Sequence, residues 1–311
     1  MSDRPLPRRT LLRRGLAAAG AAAAGTTAGC SSLFSGGGDD TGAFTQWLPK
    51  PGAIGAAEHY WFDYYDLERL ASQRETLGGE PTVFERTWRP VGLDWADATS
   101  AVAVDSADVV TADFTRSDAV SDLEDAGYSQ GDEYEGSTLY HDADGRTVFG
   151  VTDGTLVVSR VDRYASDPVD PASRVRAVLD AQTGDVTRYA EASEDMQTLV
   201  DELGTATFVS GATRDDASGV EAESGRYEGL VAEGSTSTFD GGTVAEKWVY
   251  VYDSPQDVDI DALRAYVEAN DDGTGGSSAP FATVGDIAYE KKGRKGIITG
   301  TRAADEYYED A

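Results

Sequence analysis

Hydrophobic positions along this chain come in short bursts with polar turns between them. The first burst, His59-Tyr60-Trp61-Phe62-Asp63-Tyr64-Tyr65, predicts an aromatic strand. At period two it puts His59, Trp61, Asp63 and Tyr65 on one face and Tyr60, Phe62 and Tyr64 on the other. Leu67, Leu70 and Leu77 continue at helical spacing to Gly78-Gly79, and 80–97, with Pro81, Pro90, Trp88 and Trp95, reads as an irregular connection. Strands are expected over 101–104 and 109–114, divided by Asp105-Ser106. Thr115 or Ser117 can cap a helix bearing Ala119, Val120, Leu123 and Ala126, which Gly127 ends. Strands over 137–141, 147–151 and 155–161 follow, with hairpin chemistry at Asp142-Ala143-Asp144-Gly145 and Asp153-Gly154. Helices over 171–181 and 193–203 close this block.

A second block opens with a strand over 205–210. A long hairpin is expected over 226–239 and 243–252, turning at Asp240-Gly241-Gly242. A helix over 258–269, a loop over 270–280 and strands over 281–290 and 295–301 complete the chain. Both blocks mix antiparallel hairpins with one or two helices, so the expected class is α+β, antiparallel sheets with packed helices. The shared plan raises two diverged copies of one unit as an expectation, although no sequence repeat carries it. Residues 53–204 are expected to form one α+β domain and 205–311 a second α+β block.

The segment ahead of these blocks has a different character. Arg8-Arg9 precede Thr10-Leu11-Leu12, and Arg13-Arg14 complete a basic start. An uncharged run of small residues follows and ends at Thr27-Ala28-Gly29-Cys30. This order makes 1–29 a signal peptide, with an apolar run too short for a stable transmembrane helix. Arg8, Arg9, Leu11 and Leu12 resemble the twin-arginine translocation signal. Thr27-Ala28-Gly29-Cys30 resembles the lipobox of secreted lipoproteins, where cleavage leaves Cys30 as the lipid-bearing first residue. Residues 30–52 then read as that cysteine on a flexible tether, with Gly36-Gly37-Gly38 and Asp39-Asp40 showing no apolar period.

Composition sharpens this picture. Of 311 residues, 56 are Asp or Glu and 26 are Lys or Arg, a net charge of −30, which argues against a nucleic-acid partner. One cysteine excludes internal disulfides and four-cysteine zinc sites. Lysine occurs only at 50, 247, 291, 292 and 295, and the single Asn270 lies in no glycosylation sequon. A carboxylate-rich, lysine-poor surface suits molar salt, where a Debye length of ~3 Å screens self-repulsion. Signal, lipobox and acidity together resemble uncharacterised haloarchaeal envelope lipoproteins exported by the twin-arginine pathway. That resemblance implies the export machinery as a partner and anchoring through lipid on Cys30 at the extracellular face of the cell membrane. It supplies no catalytic residues.

Local motifs for chemistry are sparse. Asp142 and Asp144 begin a calcium-loop pattern, but Asp153 stands where an EF-hand has Glu, and a plain hairpin turn accounts for the same residues. His59 and His141 are the only histidines, short of the three ligands usual for catalytic zinc. No G-x-S-x-G, S-x-x-K, G-x-G-x-x-G or Walker A sequence occurs, and no cofactor is expected. Carboxylate pairs such as Glu133/Glu135 and Glu221/Glu223 are unremarkable in so acidic a chain.

Two features have an interaction reading. An exposed aromatic face around Trp61 would stack sugars or hold an apolar partner, whereas a strand covered on both faces would be core. The turn Lys291-Lys292-Gly293-Arg294-Lys295 would touch lipid headgroups or an acidic partner, or merely be a solvated turn. The expected function is therefore that of a lipid-anchored, non-enzymatic binding or assembly module. The alternatives are an extracytoplasmic hydrolase using carboxylates and a solute-capture lipoprotein. A hydrolase needs a cleft with converging carboxylates, and a binding module an exposed aromatic patch.

Overall fold

The computed structural model describes residues 42–56, 58–76, 88–161, 169–214, 229–270 and 281–307. Leu77 and residues 80–87 of the expected irregular connection lie outside them. The remainder of that connection forms two short 3-10 turns, Arg89–Val91 and Trp95–Asp97.

The strands are β1 (Phe62–Asp66), β2 (Ala98–Val104), β3 (Ala107–Ala112), β4 (Ser129–Tyr134), β5 (Ser137–His141), β6 (Thr147–Thr152), β7 (Thr155–Arg160), β8 (Phe208–Thr213), β9 (Leu230–Asp240), β10 (Thr243–Tyr252), β11 (Gly285–Lys292) and β12 (Lys295–Ala303). The helices are α1 (Leu67–Ser72), α2 (Arg116–Asp125), α3 (Pro171–Thr183), α4 (Tyr189–Ala192), α5 (Glu194–Leu203) and α6 (Ile260–Ala269). The class is α+β, as the patterning predicts. Instead of several sheets, all twelve strands join one, in the order β11-β12-β10-β9-β8-β1-β2-β3-β7-β6-β5-β4, and every pairing is antiparallel.

β1 and β8 meet at the middle of the sheet, so hydrogen bonding is continuous across residue 204. β8 begins three residues later than its sequence pattern suggests, because Ala206 and Thr207 are buried in the approach to the strand. β4 had no counterpart in the sequence reading. Its residues Ser-Gln-Gly-Asp-Glu-Tyr do not alternate, since an edge strand exposed on both faces has no core to address.

Side chains alternate across the sheet, and each face carries its own layer. On the face bearing Phe62, α3 and α5 pack over Val102, Val157, Val209 and Val249. Both helices start from a clear cap: Asp170 accepts from Ser173 N–H ahead of Pro171, and Ser193 accepts from Met196 N–H. Residues 42–52 also pack here, which corrects the expected tether. Phe44 stacks on Phe62 and Tyr64, Leu48 is fully buried, and Tyr60 Oη donates to the Pro49 carbonyl at 2.7 Å.

The opposite face, bearing Asp63, carries two separate apolar clusters. One lies under α1, α2, Trp88 and Trp95, includes Val110, Phe149 and Val158, and runs on across the middle strands to Phe239, Val244 and Ala304, with Tyr65, Phe208 and Tyr307 packed against it. The other lies under α6 and includes Tyr250, Tyr252 and Ile298. Ser235, Ser210, Asp63, Ala103 and Asp108 are successive cross-strand partners in one row between them. That row continues outward into Trp248 and Ile298 on one side and Val158 and Phe149 on the other.

The row also reveals a correspondence between the halves. Beyond it β1 and β8 each run three further residues, to Asp66 and Thr213, and β2 and β9 each begin five before it. β3 and β10 each run on four, and β7 and β12 each begin three before it. In each half a three-strand meander leads to a helix on the Asp63 face, then to antiparallel strands, four in the first half and two in the second, of which the last pairs with the third meander strand.

Candidate functional site

The central part of the Asp63 face is a polar trough between two apolar banks. Ser235, Ser210, Asp63, Ala103 and Asp108 are all half-buried, whereas Ile298, Val158 and Phe149 farther out are buried. No described helix packs over the row. At its middle stands Trp61, 45% exposed and the one large apolar side chain left exposed among the described residues.

Its indole is held by the sheet below. Nε1–H is shared between Ser210 Oγ at 2.6 Å and Asp63 Oδ1 at 3.2 Å, and Ser210 Oγ donates to the same carboxylate oxygen. Trp61, just ahead of β1, and Asp63 and Ser210, 147 positions apart on β1 and β8, thus lock one another. One edge of the ring is committed to hydrogen bonds, which fixes the plane of the remainder. The pair thus supplies hydrogen-bonding groups at the foot of the ring.

The trough opens at one end into a cleft of about 240 Å³ lined by Asp105, Ser106, Asp108, Val158, Arg160 and Val161. Asp105 N–H donates to the Trp61 carbonyl at 3.4 Å, so cleft and indole share a backbone contact. The Asp105 carboxylate pairs with the buried Arg174 at 3.3 Å. Arg174 in turn donates to the Ile54 carbonyl, tying the cleft to the N-terminal segment. Two residues along β10 from Trp248, the buried Glu246 meets Arg302 at 2.5 Å. Burial pushes this carboxyl up to about 7, even against the guanidinium beside it. Nearby Tyr307, stacked on Phe208, is pushed up to about 12 by burial. A second cavity of about 490 Å³ lies between α2 and β5, but its Arg116 is engaged by both Glu133 carboxylate oxygens, at 2.8 and 2.9 Å.

The other residues singled out by sequence fall elsewhere. Arg8, Arg9, Leu11, Leu12 and Cys30 lie outside the described residues, as do Glu221 and Glu223. Asp142 and Asp144 sit in the β5–β6 turn, where Asp142 Oδ1 accepts from Arg146 N–H at 2.7 Å and its carbonyl from Gly145 N–H at 3.0 Å. Among the described residues no three of His, Cys, Asp and Glu gather as a metal site would require. His141 ends β5 with Nδ1 3.2 Å from the Asp142 carbonyl, and His59 is exposed ahead of β1.

The basic turn between β11 and β12 is held by the protein itself. Lys292 and Lys295 both reach Glu202 at the end of α5, Arg294 binds Asp195 at 2.5 Å, and Lys291 donates to the Val258 carbonyl. Burial works to raise Glu202, but the hydrogen bonds and charges of Lys295 and Lys292 outweigh it and hold the carboxyl below its ordinary range. Lys247 Nζ, lowered by burial, donates to the Glu202 carbonyl at 2.6 Å. These cations clamp α5 to the second half of the sheet.

The aromatic strand is core on one face only, which corrects the reading of it as core on both: Tyr60 and Phe62 are buried and Trp61 is open. Ser210 and Ser235 carried no signal in sequence, because register alone brings Ser210 beside Asp63 and Ser235 beside Ser210.

No described helix is long and apolar enough to cross a membrane. No known protein family matches the sequence, and no curated protein does. Among solved structures the chain resembles TP0453. Crystal form III superposes with a TM-score of 0.50 at 9% identity, covering 84% of this chain and 96% of that one. Crystal form I gives 0.49 at 9% identity, over 84% and 95%. At such identity the likeness is one of fold.

Proposed function

We propose that this chain is a lipid-anchored protein of the extracellular face of the cell membrane, exported by the twin-arginine pathway, and that it acts as a binding module through the trough around Trp61. The observation that carries the binding reading is the indole itself: a large apolar ring left in solvent, fixed by Ser210 and Asp63 and ringed by polar groups. Core packing has no use for it, whereas an interaction face does. The anchor reading rests on Arg8-Arg9, the uncharged run and Cys30 in their order.

Intact mass of the protein from native membranes, beside Cys30→Ser, tests the anchor. A chain starting at Cys30 with a lipid increment, lost in the variant together with membrane retention, supports it. An unlipidated chain in the medium overturns it.

One observation favours a second reading, hydrolysis by carboxylates. Asp63 and Asp108 share the trough two strands apart, about 9–10 Å between backbones at the usual strand spacing. Inverting glycosidases hold their carboxyls ~6.5–9.5 Å apart. Release of reducing sugar that vanishes in both Asp63→Asn and Asp108→Asn would put this reading first. The solute-capture reading has no comparable observation in its favour.

We further propose that the halves are diverged copies of one unit, related by a two-fold axis through the Asp63–Ser210 pair. The matched extents of equivalent strands to one side of the central row support this, with β4–β5 and the longer β9–β10 hairpin as departures. Between the equivalent strands β3 and β10, β6 and β11, and β7 and β12 the offset is a constant 140 residues. Sequences of close homologues, aligned to themselves, should score above chance at that offset, and a flat score there overturns the duplication.

A further inference from the structure

Building on the binding reading, we infer that the trough takes a neutral saccharide chain, with one sugar ring stacked on Trp61. Several observations narrow the ligand to this class. A flat apolar ring of fixed orientation, bordered by hydroxyl and carboxylate groups, matches a pyranose, which offers an apolar C–H face and a hydroxyl rim. Ser235, Ser210, Asp63 and Asp108 provide that border in one row, with Trp61 rising beside Ser210.

An anionic ligand would meet the carboxylates of Asp63 and Asp108 at contact range, where salt screens least. A quaternary cation is bound by a cage of several rings, and here the other aromatics of the same face are packed against further rings. Tyr65 packs edge-on against Phe208, and Trp248 packs against Phe281. One open ring with hydroxyls around it is a stacking platform and not a cage.

Length argues for a chain and not a single sugar. Ser235 to Asp108 spans five strands, about 19 Å at four spacings of ~4.8 Å, and Asp108 lines the cleft of about 240 Å³ beyond. Stacking and hydroxyl hydrogen bonding also survive molar salt, where a Debye length of ~3 Å leaves charge recognition little reach.

The test uses the mature full chain in 2 M salt, titrated calorimetrically with neutral gluco-, manno- and galacto-oligosaccharides of two to six units. Uronic-acid oligosaccharides and choline serve as counter-probes. At least one neutral series should bind, with affinity rising as units are added and changing less than threefold between 0.5 and 3 M salt. Trp61→Ala should weaken it at least tenfold while leaving the thermal midpoint within a few degrees, and Trp61→Tyr should recover part of the loss.

Failure of every neutral series, or affinity unmoved by Trp61→Ala, overturns the inference. A preference for choline or for the acidic series that depends on Trp61 also overturns it, while leaving the binding module standing. The anchor is judged separately, by the mass of the native protein, so the two proposals can fail independently.

Discussion

Glu246 and Glu202 show how burial and neighbours set the chemistry of single carboxylates in opposite directions. Glu246 is raised to about 7, because its burial outweighs Arg302. The folded state therefore holds a proton that the unfolded chain releases at its ordinary carboxylate value. Stability from this group is present in acid and falls as pH rises towards 7. Glu246→Gln does not titrate, so the stability of wild type relative to this variant should fall across that window by up to ~3 kcal/mol, read from denaturant midpoints at several pH values. Glu202 runs the other way. Held low by Lys295 and Lys292, it stabilises above its ordinary range and loses that contribution as pH drops. Glu202→Gln should cost ~1 kcal/mol at neutral pH, since the pair is partly solvated, and should converge on wild type in acid. At Trp61 the sequence already showed which face the ring takes. It could not show Ser210, because that partner comes from register.

Elements form where local chemistry agrees with the layer they must cover. α5 displays Met196, Leu199, Val200 and Leu203 at helical spacing behind a serine cap, and all four are buried. It lies so close to the sheet that a Cβ at Gly234 would stand 2.9 Å from Leu203 Cδ1 and 2.5 Å from the Ser210 carbonyl oxygen. Gly234→Ala should therefore destabilise by ~1–3 kcal/mol, whereas Gly242→Ala, which meets nothing within 4 Å, should be near neutral. Thermal unfolding of the two variants separates these outcomes. Ser193→Ala should cost ~1 kcal/mol through the lost cap. α5, α3 and the β9–β10 hairpin were legible for the same reason, strong periodicity bounded by caps and turns. β4 was not, since an exposed edge imposes no period on Ser-Gln-Gly-Asp-Glu-Tyr.

Across the whole molecule, the seam between β1 and β8 decides behaviour. Four cross-strand pairs join the halves there, and α5 at the end of the first half packs on β8, β9 and β10 of the second. The Lys292, Lys295 and Arg294 contacts to α5 cross the same division. Calorimetry should accordingly show one unfolding transition with matching calorimetric and van't Hoff enthalpies, and two separable transitions would mean that the halves fold independently. The trough is a product of this scale as well. Its floor draws on five strands from both halves, and its banks are the cluster under α1 and α2, which continues to Phe239 and Tyr307, and the cluster under α6.

By itself the sequence determined what local physics can write. Strand or helix followed from periodicity, starts and stops from Asp170, Ser193 and the glycine turns, and a net charge of −30 from the excess of carboxylates. It also sorted the Tyr60–Tyr65 run into two faces, since alternation in a strand has a fixed period, but did not determine which of them stays open. Tertiary structure alone decided that twelve strands make one sheet, that residues 42–52 pack on it, and that Ser210 meets Asp63 beneath an open indole. Those outcomes depend on pairing between segments far apart in the chain, and the backbone hydrogen bonds that pair strands carry no residue identity. Register is selected only when whole faces compete for burial, and that competition is a property of the assembled sheet.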